Sequence, residues 1–210
     1  MTMDQRERII EQAMQMFVAQ GIKSVRMDDI AQQLGVSKRT LYELFGDKEG
    51  LLYLAMVCYS DRNGLRWERM CVGAVNVLEA MFIVLRDVLA QSEVTNRILD
   101  TLRKFHPAVY DKLMHEGSEK SRSSVRTMLE QGIAEGLFIN NFNIDLFISM
   151  LFYTATALVR RSGIVLPEGL SEQEAFIQIV SNSFRGISTA RGLQLVDDYL
   201  KRYELGKNSK

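Results

Sequence analysis

Residues 26–48, RMDDIAQQLGVSKRTLYELFGDK, read as two short helices joined by a tight turn, the second of them polar and basic at its start. Ile30, Ala31 and Leu34 share one helical face and leave Asp28, Asp29, Gln32 and Gln33 to water. Gly35 supplies the left-handed residue that ends a helix, and Val36 can plug the angle between the two. Ser37 is a suitable N-cap, because its hydroxyl can accept from an otherwise unpaired amide of the next turn. A second helix is therefore expected from about Lys38. On it Leu41, Leu44 and Phe45 can pack inward, while Lys38, Arg39, Thr40, Tyr42 and Glu43 point out. Polar side chains at the N-terminal end of a second helix are what major-groove reading requires. The same pattern also suits an ordinary helical hairpin.

Charge does not decide between these readings. Residues 1–50 hold seven basic groups (Arg6, Arg8, Lys23, Arg26, Lys38, Arg39, Lys48) and eight acidic ones (Asp4, Glu7, Glu11, Asp28, Asp29, Glu43, Asp47, Glu49). The broad basic footprint of a nucleic-acid binder is missing. What remains is local: Lys38, Arg39 and Lys48 cluster at two helix starts, where unpaired amides and the helix dipole also favour phosphate.

The preceding segment fits a supporting role. Thr2 and Gln5 have capping-box spacing, Ile9, Ala13, Met16 and Phe17 recur at helical period, and Gly21 closes the stretch. Residues 2–20 should form an amphipathic brace over the helix-turn-helix. Three helices within 46 residues make a small core, which implies support from the remainder of the chain.

The stretch AMQMFVAQGIKSVRMDDIAQQLGVSKRTLYELFGDKEGLL, residues 13–52, resembles the N-terminal domain of the TetR family of bacterial transcriptional regulators. It combines an F-x-x-x-G end to helix 1 with D-D-I-A, L-G-V-S-K, T-L-Y-x-x-F and D-K-E-x-L at the family's mutual spacings. The resemblance implies that Ser37, Lys38, Arg39 and Thr40 approach the major groove and that Tyr42 and Lys48 hold the phosphate backbone. Lys38 or Arg39 could then make a bidentate contact to guanine, whereas Lys48 would add affinity without sequence information. Arg26 departs from the Thr that commonly caps helix 2, and as a longer cation it is expected to reach a phosphate. Leu44 replaces a frequent backbone-touching Tyr or His, and Gly50 stands where Glu is common. The last exchange weakens the first turn of helix 4 by about 1 kcal/mol of helix propensity.

Length and composition bound the remainder. A chain of 210 residues with 47% hydrophobic and 25% charged residues is ordinary for a water-soluble globule. Two prolines and few alternating apolar runs favour an all-α fold. Asp4, Glu7 and Glu11 interrupt any signal peptide, and the longest apolar run, residues 146–159, is too short to span a bilayer. Cys58 and Cys71 lie 13 residues apart across expected helix 4 and its end, roughly 20 Å along a straight helix at 1.5 Å per residue, too far for a disulfide unless the chain turns back. A reduced, cytoplasmic setting is expected, with a redox role for either thiol as the alternative.

The expected architecture is a helix-turn-helix domain over residues 1–46 and a helical effector-binding and dimerisation domain over residues 47–210. Helices are expected over 48–69, 74–90, 94–115 with a break at Pro107, 118–135, 144–161 and from Ser171 onward. Ser171 and Glu174 form a capping box. Residues 192–207, GLQLVDDYLKRYELGK, could add a short terminal helix. The helices from Ile144 and Ser171 have broad apolar faces. In the resembled family such a pair joins its symmetry mate, which implies a homodimer through Phe147, Met150, Leu151, Phe176, Ile179, Val180, Ser183, Phe184 and Ile187. An internal core in a monomer is the alternative. Two reading helices about 34 Å apart would suit a near-palindromic double-stranded operator.

The resemblance further implies an effector pocket, and Trp67, Met70, Met81, Phe82, Leu85, Phe105, Met114, Met128, Phe152 and Tyr153 are the bulky apolar candidates to line it. Without a dense charged cluster, the small-molecule effector is expected to be largely hydrophobic. No cofactor or metal is implied, and nothing points to an enzyme. His115, Glu116 and Glu119 imitate the start of a zinc-protease helix but lack its second histidine. The expected function is a ligand-responsive repressor. A helical small-molecule-binding or interaction protein that has lost DNA binding is the other reading.

Overall fold

The computed structural model describes residues 5–160 and 165–202. Among them the fold is all-α, with ten helices: α1 Gln5–Gln20, α2 Met27–Leu34, α3 Lys38–Phe45, α4 Lys48–Cys71, α5 Val77–Ala90, α6 Ser92–Phe105, α7 Pro107–Ala134, α8 Ile144–Arg160, α9 Glu172–Ile187 and α10 Ala190–Arg202. The Thr2 capping position, the turn at residues 161–164 and the chain after Arg202 lie outside the described residues. No described helix is long and apolar enough to cross a membrane.

The chain divides into two compact units, one made of Met1–Arg69 with Gln91–Ser118 and the other of Met70–Ala90 with Glu119–Lys210. In the first, Ile9, Ala13, Met16 and Phe17 of α1 are buried against Ile30 and Ala31 of α2 and Leu41 and Phe45 of α3. The same core continues into Leu51, Leu52 and Ala55 of α4, Ile98 and Leu102 of α6, and Val109 and Tyr110 of α7. Each fully buried Leu, Ile or Phe contributes about 2–3 kcal/mol, so these added helices supply the apolar area that 46 residues lack.

Local chemistry sets the helix ends. Gly35 takes φ 65° and ψ 29°, and its N–H reaches back into the last turn of α2. Ser37 caps α3, its Oγ accepting from the Thr40 N–H at 3.0 Å. The Asp29 carboxylate accepts from the Arg26 N–H at 2.7 Å, so the start of α2 is closed from inside the helix even though the Arg26 side chain offers no acceptor. Leu44 differs from its inward expectation and is 38% exposed. Leu41 and Phe45, at i and i+4, define the buried line of α3 and turn Leu44 aside.

The second unit is built on Leu78 and Phe82 of α5, Leu129 of α7, Leu137 and Phe138 after it, Phe147 and Ile148 of α8, Phe184 and Ile187 of α9, and Val196 and Tyr199 of α10. Its aromatic rings interlock, with Phe147 edge-on to Phe184 at 5.5 Å and Phe82 against Tyr199 at 5.8 Å. Ser171 and Glu174 form the capping box that opens α9, and an isolated antiparallel bridge joins Phe138 to Ser188.

Two sequence expectations change. α5 begins at Val77, not 74, because the Asn76 side chain caps it by accepting from the Glu79 N–H at 2.9 Å. α7 runs unbroken through Gly117, so the two helices expected over 107–115 and 118–135 are one helix of 28 residues. An exposed glycine costs a long helix only about 1 kcal/mol, too little to end it. The short terminal helix offered for the segment from Gly192 is present as α10, which begins at Ala190 and buries Gly192, Val196 and Tyr199.

Candidate nucleic-acid interface

The turn between α2 and α3 presents the N-terminal end of α3 to solvent. Ser37, Lys38 and Arg39 are exposed and Thr40 is half-buried. Ser37 Oγ lies 2.8 Å from Thr40 Oγ1, so the two hydroxyls share a hydrogen bond at the mouth of the helix. Tyr42 is 43% exposed on the next turn. Amides of the first turn, a favourable dipole and two cations therefore meet at one exposed helix end, a combination suited to a polyanion.

Carboxylates hold both cations. Lys38 Nζ pairs with Asp28 of α2 at 2.8 Å, and that hydrogen bond and charge raise its pKa above the ordinary lysine value. Arg39 Nε donates to Glu43 Oε1, one turn on, at 2.7 Å. All four groups are well exposed, so water screens the pairs and a phosphate or base edge can replace the carboxylates at small cost. Neither Asp28 nor Glu43 is singled out as a partner by the sequence reading. The i+4 spacing of Glu43 is a legible signal, whereas Asp28 meets Lys38 only through the turn.

Lys48 is placed differently from the other cations. Its Nζ donates to the Ile22 carbonyl at 2.7 Å and sits 5.8 Å from the centre of the Phe17 ring. Burial lowers its pKa, with Asp29 opposing the shift. It ties the first residue of α4 to the segment between α1 and α2 and is less open to a phosphate than Arg39. Arg26 is exposed at the N-cap of α2. Arg6, which the sequence does not single out, stacks at 5.6 Å over the Phe45 ring.

The apolar residues expected to line an effector pocket divide between the two units. Phe82 is buried in the second unit, and Met81, Leu85, Met128 and Phe152 pack against the same core. Met70 is half-buried and Tyr153 is 77% exposed. Trp67, Phe105 and Met114 belong to the first unit, where Lys23 Nζ lies 3.4 Å above the centre of the Phe105 ring. Arg122 adds a cation beside the second group, 5.2 Å over the Phe152 ring and hydrogen-bonded to Ser149 Oγ at 3.2 Å.

The residues expected at a dimer face also differ in exposure. Phe147, Phe184 and Ile187 are buried in the core of the second unit, and Leu151, Phe176 and Val180 pack against it. Ile179 and Ser183 are half-buried, the Ser183 hydroxyl donating to the Ile179 carbonyl at 2.8 Å. Met150 is 50% exposed, and beside it on α8 stand Leu146 at 68% and Tyr153 at 77%. Spacings of four and three residues put these three on one outward stripe. Apolar content alone could not show which side of α8 that stripe occupies.

Comparison with known proteins agrees with this geometry. Residues 9–53 match the profile of the tetR family of bacterial regulatory proteins. Over 178 residues, 83% of this chain and 79% of the relative, the sequence is 25% identical to the HTH-type transcriptional regulator SrpR of Pseudomonas putida. Among solved structures, a transcriptional regulator from Cytophaga hutchinsonii shares the fold with a TM-score of 0.68, at 17% identity and over 87% of this chain and 98% of that one. The TetR family transcriptional regulator CifR, solved as a cysteine mutant with 26 bp of double-strand operator DNA, shares it with a TM-score of 0.55, at 20% identity and over 89% and 98% of the two chains. The matched residues 9–53 contain α1 to α3 from Ile9 onward and the start of α4, the elements that build the exposed end of α3. Through residues 9–53 the chain carries a domain that matches the tetR family of bacterial regulatory proteins, and over most of its length it is similar to an HTH-type transcriptional regulator.

Proposed function

We propose that the protein is a repressor that binds a near-palindromic operator as a homodimer and is released by a small, largely hydrophobic effector. The observation that carries the reading is the exposed, Ser37-capped start of α3 with Lys38, Arg39 and Thr40 on it. Ser37 to Thr40 approach base edges, and Arg26, Tyr42 and Lys48 contact the backbone. The operator-bound relative CifR supports a double-stranded DNA partner. In this division residues 1–46 read DNA and residues 47–210 serve effector binding and dimerisation, acting in the bacterial cytoplasm where the chromosome lies.

Dimerisation follows from the need to read two half-sites one helical turn apart, about 34 Å. The outward stripe of Leu146, Met150 and Tyr153 on α8, together with the half-buried Ile179 and Ser183 of α9, is the face offered to a second copy. The effector site draws on the apolar side chains of α5, α7 and α8, chiefly Met81, Leu85, Met128 and Phe152. To release DNA the effector must bind the DNA-incompetent state more tightly than the competent one. α4 starts at Lys48, directly after the reading helix, so a shift of α4 displaces α3.

A gel shift on DNA flanking the protein's own gene tests the reading. A retarded band is expected that weakens with salt and with Arg39→Ala. Absence of any retarded species at low salt on every promoter fragment would sink it.

A further inference from the structure

The two cations at the start of α3 are deployed in different ways. Lys38 is paired with α2 through Asp28, across the turn. Arg39 is held within its own helix, by one hydrogen bond from Nε to Glu43 Oε1 at 2.7 Å, and its side chain is 87% exposed. A guanidinium has a side edge that includes Nε and an end edge formed by Nη1 and Nη2. A carboxylate on Nε takes up the side edge and leaves the end fork of this exposed side chain clear of Glu43. That fork matches the O6 and N7 acceptors of guanine in the major groove.

We propose that Glu43 is a positioning residue for base reading: it pre-orients Arg39 so that its end fork reads a guanine in each half-site. The inference rests on α3 being the DNA-reading helix, and it assigns the guanine contact to Arg39, not Lys38. Freezing a long, free side chain against DNA costs affinity, and an anchor already in place on the same helix reduces that cost. Glu43 also repels phosphate, so it lowers binding to any sequence while favouring the one that offers Arg39 a guanine. A merely structural surface pair at i and i+4 predicts no change in base preference when it is broken.

The test is a binding selection from double-stranded DNA with randomised half-sites, sequenced for wild type, Glu43→Ala, Arg39→Ala, Lys38→Ala and the Arg39→Ala/Glu43→Ala double variant. Arg39→Ala is expected to reduce guanine preference at one symmetric position by about tenfold or more. Glu43→Ala is expected to reduce preference at that same position by about threefold and to leave the others intact. In the Arg39→Ala background it should add nothing there, because the coupling has been removed. The proposal is overturned if Glu43→Ala changes affinity for all sequences by one factor with preference intact, or acts independently of Arg39. If Arg39→Ala and Lys38→Ala both leave every preference and affinity unchanged, α3 is not the reading helix and the functional reading itself fails.

Discussion

The ammonium of Lys48 donates to the carbonyl oxygen of Ile22 at 2.7 Å, fastening the first residue of α4 to the segment between α1 and α2. This bond sets where α4 departs from the reading unit. Lys48→Met keeps the apolar stem and removes the donor, and is expected to lower unfolding free energy by about 1 kcal/mol in urea denaturation at neutral pH. The pH dependence has a defined sign. Burial depresses the folded pKa below 10.5, so in the alkaline window beneath that value the unfolded chain binds more protons. Wild-type stability therefore gains a contribution as pH rises through that window, and Lys48→Met lacks it. A difference between the two proteins that stays flat up to pH 10.5 would show that the ammonium is not desolvated.

If α3 reads DNA as proposed, Asp28 competes with it for Lys38. Asp28→Asn removes the charge that holds the ammonium on α2 and that raises its pKa. The variant is expected to bind all DNA sequences more tightly at low salt, with a log–log salt slope steeper by about 1, because one more cation is free to displace a counterion. Isotherms at several salt concentrations on specific and scrambled duplexes measure this. An unchanged slope would mean that Lys38 stays away from phosphate even when released.

What is legible in the sequence is local. Gly35, Ser37 and the Ser171–Glu174 box act within a few residues, and the structure places each at the helix end where spacing puts it. Periodicity finds the buried faces of α1 and α2 because a single stripe meets a single core. It fails on Leu44, where a helix of eight residues leaves room for only one buried line. On α8, apolar side chains cover more than one side, and no periodic signal separates Phe147 in the core from Leu146 in solvent. The partners of Lys38 and Lys48 are hidden because both contacts are made by chain reversal, over 10 and 26 residues.

Gly50 is the case where helix propensity and tertiary contact disagree. By propensity alone, Gly50→Ala in the first turn of α4 should stabilise by about 1 kcal/mol. A Cβ at this position would lie 2.2 Å from the Phe45 carbonyl oxygen, with the Asp47 side chain at 3.6 Å. Backbone cannot yield as a flexible side chain can, so Gly50→Ala is expected to destabilise by about 1–3 kcal/mol and to weaken DNA binding by displacing the end of α3. Thermal unfolding decides the sign, and a raised Tm would show that the Phe45 carbonyl can move aside.

The outward stripe of α8 makes the final prediction. Leu146, Met150 and Tyr153 are 68%, 50% and 77% exposed, so a charge placed there costs the folded protomer little. In a face packed against a second copy, the same charge would be desolvated without a partner, at a cost of several kcal/mol per dimer because it enters twice. Met150→Glu is therefore expected to keep the wild-type helical signal and melting behaviour at high dilution, yet to sediment as a monomer at concentrations where the wild type is a dimer. Its affinity for a full palindromic operator should fall toward that for a half-site, while half-site affinity is unchanged. A dimeric Met150→Glu would remove α8 from the interface and leave the exposed Val72 and Val75, between α4 and α5, as the apolar contact for a second copy.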